Sequence, residues 1–253
     1  MIPLRDDNPT RITPWVTWAL LAANIAVYFL QATGGMYSTQ TGLEGSLSGW
    51  TMVPRELTRG VDLDINGETL RPFWLTILTS MFMHGGLMHI LGNMVYLVVF
   101  GNNIEDALGH GRFILFYLVC GALAALAQIF WNPASPIPTL GASGAIAGVL
   151  GAYLLLFPHA HVNTLVFLGI FITTVRLPAL ILLGFWIISQ FFSHVTGSLS
   201  GPEGRETGGV AYMAHIGGFI AGFVLIKLFG GRPPQERYSY RPRYVRDDGR
   251  FRF

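Results

Sequence analysis

Between Asp106 and Glu203 the chain has no aspartate or glutamate, and none occurs from residue 207 to residue 235. These gaps cover most of its apolar sequence, and they exclude a membrane-buried aspartyl protease, which needs two carboxylates sharing one site. Charge is scarce throughout. Only 12% of the 253 residues are charged and 51% are hydrophobic, with a mean hydropathy of +0.48, whereas soluble domains carry about 25% charged residues. That balance argues against a soluble fold. Cysteine is nearly absent: Cys120 stands alone inside an apolar segment, so no intrachain disulfide can form and a packing role is expected.

Glycine, by contrast, is abundant. Many of the 31 glycines lie inside apolar runs, where in lipid they permit close helix contact. The formal net charge of +2 conceals a cluster of arginines, Arg232, Arg237, Arg241, Arg243, Arg246, Arg250 and Arg252, at the C-terminal end. Following an apolar span, such a tail reads as a cytoplasmic anchor beside anionic lipid, and no nucleic-acid partner is expected. At the other end, Arg5, Asp6 and Asp7 precede an apolar run that has no small-residue cleavage site, so no removable signal peptide is expected.

A membrane helix needs about 20 predominantly apolar residues, and six segments qualify as candidates: residues 14–31, 87–103, 113–131, 141–157, 177–195 and 210–229. The fourth is short and glycine-rich, which predicts a helix surrounded by protein. Residues 162–174 are apolar and β-branched but too short to span, and are expected at the interface. The expectation is an all-α membrane protein built as a six-transmembrane-helix bundle, residues 14–230, with a cytoplasmic N-terminus over 1–13 and a basic cytoplasmic tail over 231–253. An even number of spans puts both termini on one side, and the positive-inside rule makes that side the cytoplasm. A multi-pass protein of the cell membrane follows. The loop over residues 32–86 is too long for a simple connector, and the glycine- and serine-rich loop over 196–209 could serve as a lid.

Polar groups at membrane depth are costly and point to function. Near the expected outer ends of spans two, four and six lie His84, His89, Asn93, Ser143 and His215. In Gly141-Ala-Ser-Gly144, Ser143 opens a helix. Taken alone it best fits a helix cap; its position also suits a nucleophile whose oxyanion faces the free N–H groups of a helix N-terminus. A serine hydroxyl needs a base, and His215, in Ala214-His-Ile-Gly-Gly218, is the best placed, although a packing histidine would also fit. Gly144 with Gly148 and Gly218 with Gly222 form two GxxxG pairs through which helices four and six can approach closely. With so few acids, a Ser-His dyad is more economical than a triad. His89 and Asn93, spaced i,i+4, share a helix face and fit either an oxyanion site or a polar interhelical contact. The run from His84 to His89 lacks the spacing and glutamate of a zinc protease motif. His159 and His161 fall on the expected cytoplasmic side, and Gln128 and Gln190 read as interhelical hydrogen bonds.

Together, His89-Ile-Leu-Gly-Asn93, Gly141-Ala-Ser143-Gly144 and Ala214-His215 with Gly218 and Gly222 resemble a rhomboid intramembrane serine protease over most of the chain. The resemblance implies a six-helix bundle around a water-filled cavity, with Ser143 as nucleophile and His215 as general base and then general acid. It implies an oxyanion site made by the Ser143 N–H, His89 and Asn93, no cofactor or metal, and transmembrane proteins as substrates in the lipid bilayer. Two features depart from the family pattern. Leu75 and Thr76 stand where many members have Trp-Arg, and Ala147 stands where some have a tyrosine stacked on the catalytic imidazole, so His215 must be oriented by other means. The competing readings are an inactive rhomboid-like binding protein and a small-solute transporter. Inactive relatives typically lose the serine or histidine, both present here. A transporter would more often show paired charges or inverted repeats, and neither is found.

Overall fold

The computed structural model describes residues 1–33, 48–60, 72–169, 171–199 and 210–233. Their elements are β1 (Ile2–Asp6), α1 (Trp15–Thr33), α2 (Pro54–Arg59), α3 (Thr76–Thr79), α4 (Leu87–Leu108), α5 (His110–Trp131), α6 (Ser143–Leu156), β2 (His161–Leu168), β3 (Phe171–Pro178), α7 (Ala179–Leu199) and α8 (Tyr212–Leu228). The long helices fall where continuous apolar sequence predicts them, and α1, α4, α5 and α7 are long and apolar enough to cross a membrane. Helices α6 and α8 are apolar but shorter.

Helix α6 is the axis of the packing. All its residues except Ser143, Leu154 and Leu155 are buried, as its small-residue sequence predicts. Its 14 residues rise about 21 Å at 1.5 Å per residue, well short of the roughly 30 Å hydrocarbon core. Set across a bilayer, a helix of this length would end inside it, and the irregular chain that precedes it would have to reach that depth. Such backbone is tolerated only where protein or water satisfies it. Here Met52 and Thr139 exchange two backbone hydrogen bonds, at 3.1 and 2.7 Å, and Gly141 N–H donates to Ser80 O at 2.8 Å. The Thr58 hydroxyl donates to Pro133 O at 2.6 Å and the Thr79 hydroxyl to Trp50 O at 2.7 Å. Thr76, one of the two departures from the family pattern, is buried and donates from Oγ1 to Phe73 O at 2.6 Å.

The all-α expectation needs correction. The protein is mostly helical, but β1, β2 and β3 form an antiparallel sheet in that order, with Gly169 at φ 64° in the turn between the last two strands. Residues 162–174, expected merely to lie at an interface, are the body of this hairpin. Their β-branched content suits a strand, and β1 is added from the far end of the chain, pairing Ile2 with Leu165.

Carboxylates fasten the sheet end of the bundle. Glu105 is fully buried and accepts the first-turn N–H groups of α1, from Val16 at 2.9 Å and Thr17 at 2.8 Å, together with the Thr17 hydroxyl at 2.6 Å. This satisfies donors that a helix start leaves open and sets negative charge against the positive end of the helix. His110 Nδ1 lies 2.6 Å from Glu105 Oε1, the oxygen that also accepts from Val16. Asp6 Oδ2 accepts from Asn103 Nδ2 at 2.7 Å and from the Tyr153 hydroxyl at 2.6 Å. Burial nonetheless raises the Asp6 carboxyl to about 6.

Candidate active site

Ser143 is the first residue of α6, but it does not cap the helix. Ala142 occupies the cap position with helical backbone angles and makes no side-chain capping bond. The hydroxyl has another partner: Ser143 Oγ lies 2.8 Å from His215 Nε2. Just before it, Gly141 adopts φ 127°, and a Cβ there would come within 2.8 Å of the His89 imidazole. Both the backbone angle and the close approach call for glycine.

His215 lies in the first turn of α8, and glycines set how closely α8 meets α6. A Cβ on Gly218 would collide with Gly144 O, and one on Gly222 with Gly148 O. The two GxxxG pairs are therefore in register, but they serve different neighbours. The missing Cβ atoms of Gly144 and Gly148 make room for Ala124 and Cys120 of α5, at 2.7 and 2.5 Å. Helix α6 is thus thinned on its α5 side and α8 on its α6 side. Gly151, not singled out by the sequence, extends the seam, since a Cβ there would strike Phe219 O. Cys120 fills space, as expected.

Helix α7 holds the far side of the imidazole. Gln190 Oε1 lies 2.8 Å from His215 Nδ1, and the Trp186 ring sits over His215 with centroids 5.8 Å apart and planes tilted by 36°. These contacts supply the orientation that Ala147 cannot. The reading of Gln190 as an interhelical hydrogen bond was correct in kind but missed its partner. The available signal was an amide in the middle of an apolar span.

Across the cavity, His89 and Asn93 lie on the first turns of α4. Asn93 is buried, and among the described residues its Nδ2 has no hydrogen-bond partner. His89 Nδ1 accepts a 3.4 Å bond from Gly85 N–H, which leaves Nε2 near Gly141 as the ring's donor. His84 stacks edge-on against His89 at 5.3 Å, and burial lowers its imidazole to about 4, so it is neutral. Gln31 of α1 holds the His84 backbone from both sides, at 3.0 and 3.3 Å. His84 supports the site without lining it. Ser143, His215, His89 and Asn93 all line one cavity of about 1060 Å³. Gln128 lines it too, and its Oε1 has no partner among the described residues, so the interhelical bond expected of Gln128 is not made by that oxygen.

His159 and His161 are at the opposite end, His161 beside Asp7. Among the described residues no three His, Cys, Asp or Glu side chains gather as a metal site would require. Most of the expected lid, residues 200–209, and the arginine tail beyond residue 233 lie outside the described residues. Chemically, the arrangement is a hydroxyl within hydrogen-bond reach of an imidazole base, beside an Asn93 donor with no partner among the described residues.

The sequence profile of the Rhomboid domain matches residues 71–232. The chain belongs to the rhomboid family. It is 29% identical over 218 residues to Rhomboid protease GluP of Bacillus subtilis, covering 86% of this chain and 35% of that protein. It is 27% identical over 245 residues to RHOMBOID-like protein 1 of Arabidopsis thaliana, covering 90% and 55% respectively. With the mitochondrial Rhomboid protein 1 of Saccharomyces cerevisiae the identity is 31% over 152 residues, covering 58% and 40%. The chain thus spans about a third to about half the length of these relatives. This rhomboid is an integral membrane protein, and all four of its candidate polar residues fall within the matched segment.

Proposed function

We propose that this rhomboid is an intramembrane serine endopeptidase that cleaves transmembrane segments of membrane proteins with a Ser143-His215 dyad. The observation that carries the reading is the 2.8 Å contact between Ser143 Oγ and His215 Nε2 inside a cavity that also holds an unpartnered donor on Asn93. In the first step His215 takes the hydroxyl proton as Oγ attacks the scissile carbonyl carbon. The carbonyl oxygen becomes the oxyanion, facing the Ser143 N–H and the His89 and Asn93 side chains. Collapse of this intermediate breaks the C–N bond, and His215 returns the proton to the leaving amine. Water then attacks the acyl-enzyme by the same route and frees Ser143. No metal or cofactor enters any step.

The topology that fits this chemistry has six crossings, the four long helices together with α6 and α8, within a domain covering residues 14–230. Residues 1–13 and the basic segment 231–253 are then cytoplasmic, with the arginines anchoring against anionic lipid at the cell membrane. The site opens toward the outer face.

A substrate helix must unwind locally to present a carbonyl, so small, helix-weakening residues near its outer end should favour cutting. The test uses the protein in liposomes with a single-span reporter. Cleavage should vanish with Ser143→Ala, and should slow when leucines replace glycines around the cut site. Cleavage by Ser143→Ala at the wild-type rate, or binding of the reporter without any cut, would overturn the reading and leave a rhomboid that only holds its clients.

A further inference from the structure

Gln190 lies on a helix whose outer face, with Ile181, Phe185, Ile188 and Phe192, is exposed apolar surface. An amide there is costly unless its polar atoms are bonded. In Gln190 both the oxygen and the nitrogen have partners, and the partners fix which way the amide faces. The Ser189 hydroxyl donates to Trp186 O at 2.6 Å, so its oxygen is free to accept, and Gln190 Nε2 donates to it at 3.2 Å. With its nitrogen engaged, the amide presents oxygen to His215 Nδ1 at 2.8 Å. A carbonyl oxygen cannot donate, so the imidazole must carry its proton on Nδ1 and keep its lone pair on Nε2. That lone pair faces the Ser143 hydroxyl at 2.8 Å. The bonds run one way, from Ser143 through His215, Gln190 and Ser189 to the carbonyl of Trp186.

We infer that Gln190 is a positioning residue for catalysis, whose amide oxygen holds His215 in the one tautomer able to accept the Ser143 proton. This deepens the serine-protease reading and rests on it. In a triad a buried carboxylate does the same work and adds a charge that stabilises the imidazolium. Here, in a stretch with no acid between Asp106 and Glu203, a neutral amide orients the ring without placing a charge in the membrane. The Trp186 ring, its centroid 5.8 Å from that of the imidazole, flanks His215 from the same helix.

The test compares Gln190→Met, similar in shape but without an acceptor, with Gln190→Glu, which keeps one, and with Ser189→Ala, which releases the amide nitrogen. The kcat and KM for a single-span reporter are measured with the melting midpoint of each protein. Gln190→Met should lose about 10-fold or more in kcat, the scale of a compromised general base, with KM and midpoint unchanged. Gln190→Glu should recover most of that loss at a pH where the carboxylate is ionised, and Ser189→Ala should fall between. A purely structural glutamine predicts the reverse order, since methionine suits an apolar helix and glutamate does not. Wild-type kcat in Gln190→Met, or a Glu variant that folds yet cuts no better than the Met variant, would overturn the inference. Should Gln190→Glu not fold, Gln190→Met decides alone. Failure of wild-type protein to cut at all would count against the serine-protease reading instead, and Ser143→Ala run alongside keeps the two failures apart.

Discussion

The two ends of the helical bundle put their buried polar groups to different uses. At the sheet end, Glu105 meets two backbone N–H groups, a hydroxyl and an imidazole, and Asp6 meets an amide and a phenol. At the site end, Asn93 Nδ2 and Gln128 Oε1 are buried without a partner among the described residues. A buried donor or acceptor left unpaired costs about 1–3 kcal/mol, and the sheet end has such groups too, Asn8 Nδ2 and Asp106 Oδ1, which line no cavity with Ser143. The sheet end spends its polar groups on holding α1, α4 and the N-terminal strand together. On the proposed mechanism, the site end holds the Asn93 donor open for an oxyanion that exists only during reaction.

This contrast can be broken from either side. The largest expected effect is on catalysis: Asn93→Ala should lower kcat by about 10²–10³-fold, the usual loss when an oxyanion donor is removed, while the melting midpoint stays the same or rises. A fall in midpoint with undiminished kcat would make Asn93 a structural residue. Glu105→Leu should show the opposite signature. It strands the Val16 and Thr17 donors in a dry site and should cost on the order of 3 kcal/mol in stability, read by thermal or urea unfolding in detergent, while the folded fraction retains its kcat.

The smallest effect concerns pH. Burial raises the Asp6 carboxyl from 3.8 to about 6, so between these values the folded protein binds more protons than the unfolded chain. The stability contributed by this group is therefore full below about pH 4 and is lost as pH rises through 6. Asp7 behaves in the other sense. Burial pushes its carboxyl up, but bonds from Arg176 and the His161 backbone outweigh that and hold it below its ordinary value, so its contribution is present at neutral pH and lost only on acidification. Asp6→Asn should flatten the decline between pH 4 and 6, by on the order of 1–2 kcal/mol. Parallel stability curves for the two proteins would show that Asp6 is not the group responsible.

How far sequence carried the fold depended on the distance over which each signal acts. The helices were legible because apolar length is local: the span expected at residues 87–103 is α4, Leu87–Leu108, and that at 210–229 is α8, Tyr212–Leu228. The core position of α6 was legible from its small residues. The sheet was not, because β1 joins β2 across more than 150 residues and an apolar hairpin beside membrane helices reads like part of a span. The role of Glu105 was not legible either, because its partners Val16 and Thr17 lie 89 and 88 residues away. At the site, the residue types of Ser143, His215, His89 and Asn93 pointed to one chemistry, and the GxxxG spacing permitted their approach. Sequence could not show which neighbour each glycine admits, which depends on how α5, α6 and α8 are rotated against one another, nor that Gln190 and Trp186 stand in for the aromatic missing at Ala147, which depends on the rotation of α7.

The central claim is that Ser143 is a nucleophile made reactive by His215. A fluorophosphonate probe tests it most directly, with the adduct mapped by mass spectrometry in wild type, Ser143→Ala and His215→Ala in detergent. The account predicts a covalent adduct on Ser143 in the wild type, none in Ser143→Ala, and labelling slowed by about 10²-fold or more in His215→Ala. Equal labelling of all three proteins, or an adduct on a different residue, would contradict it.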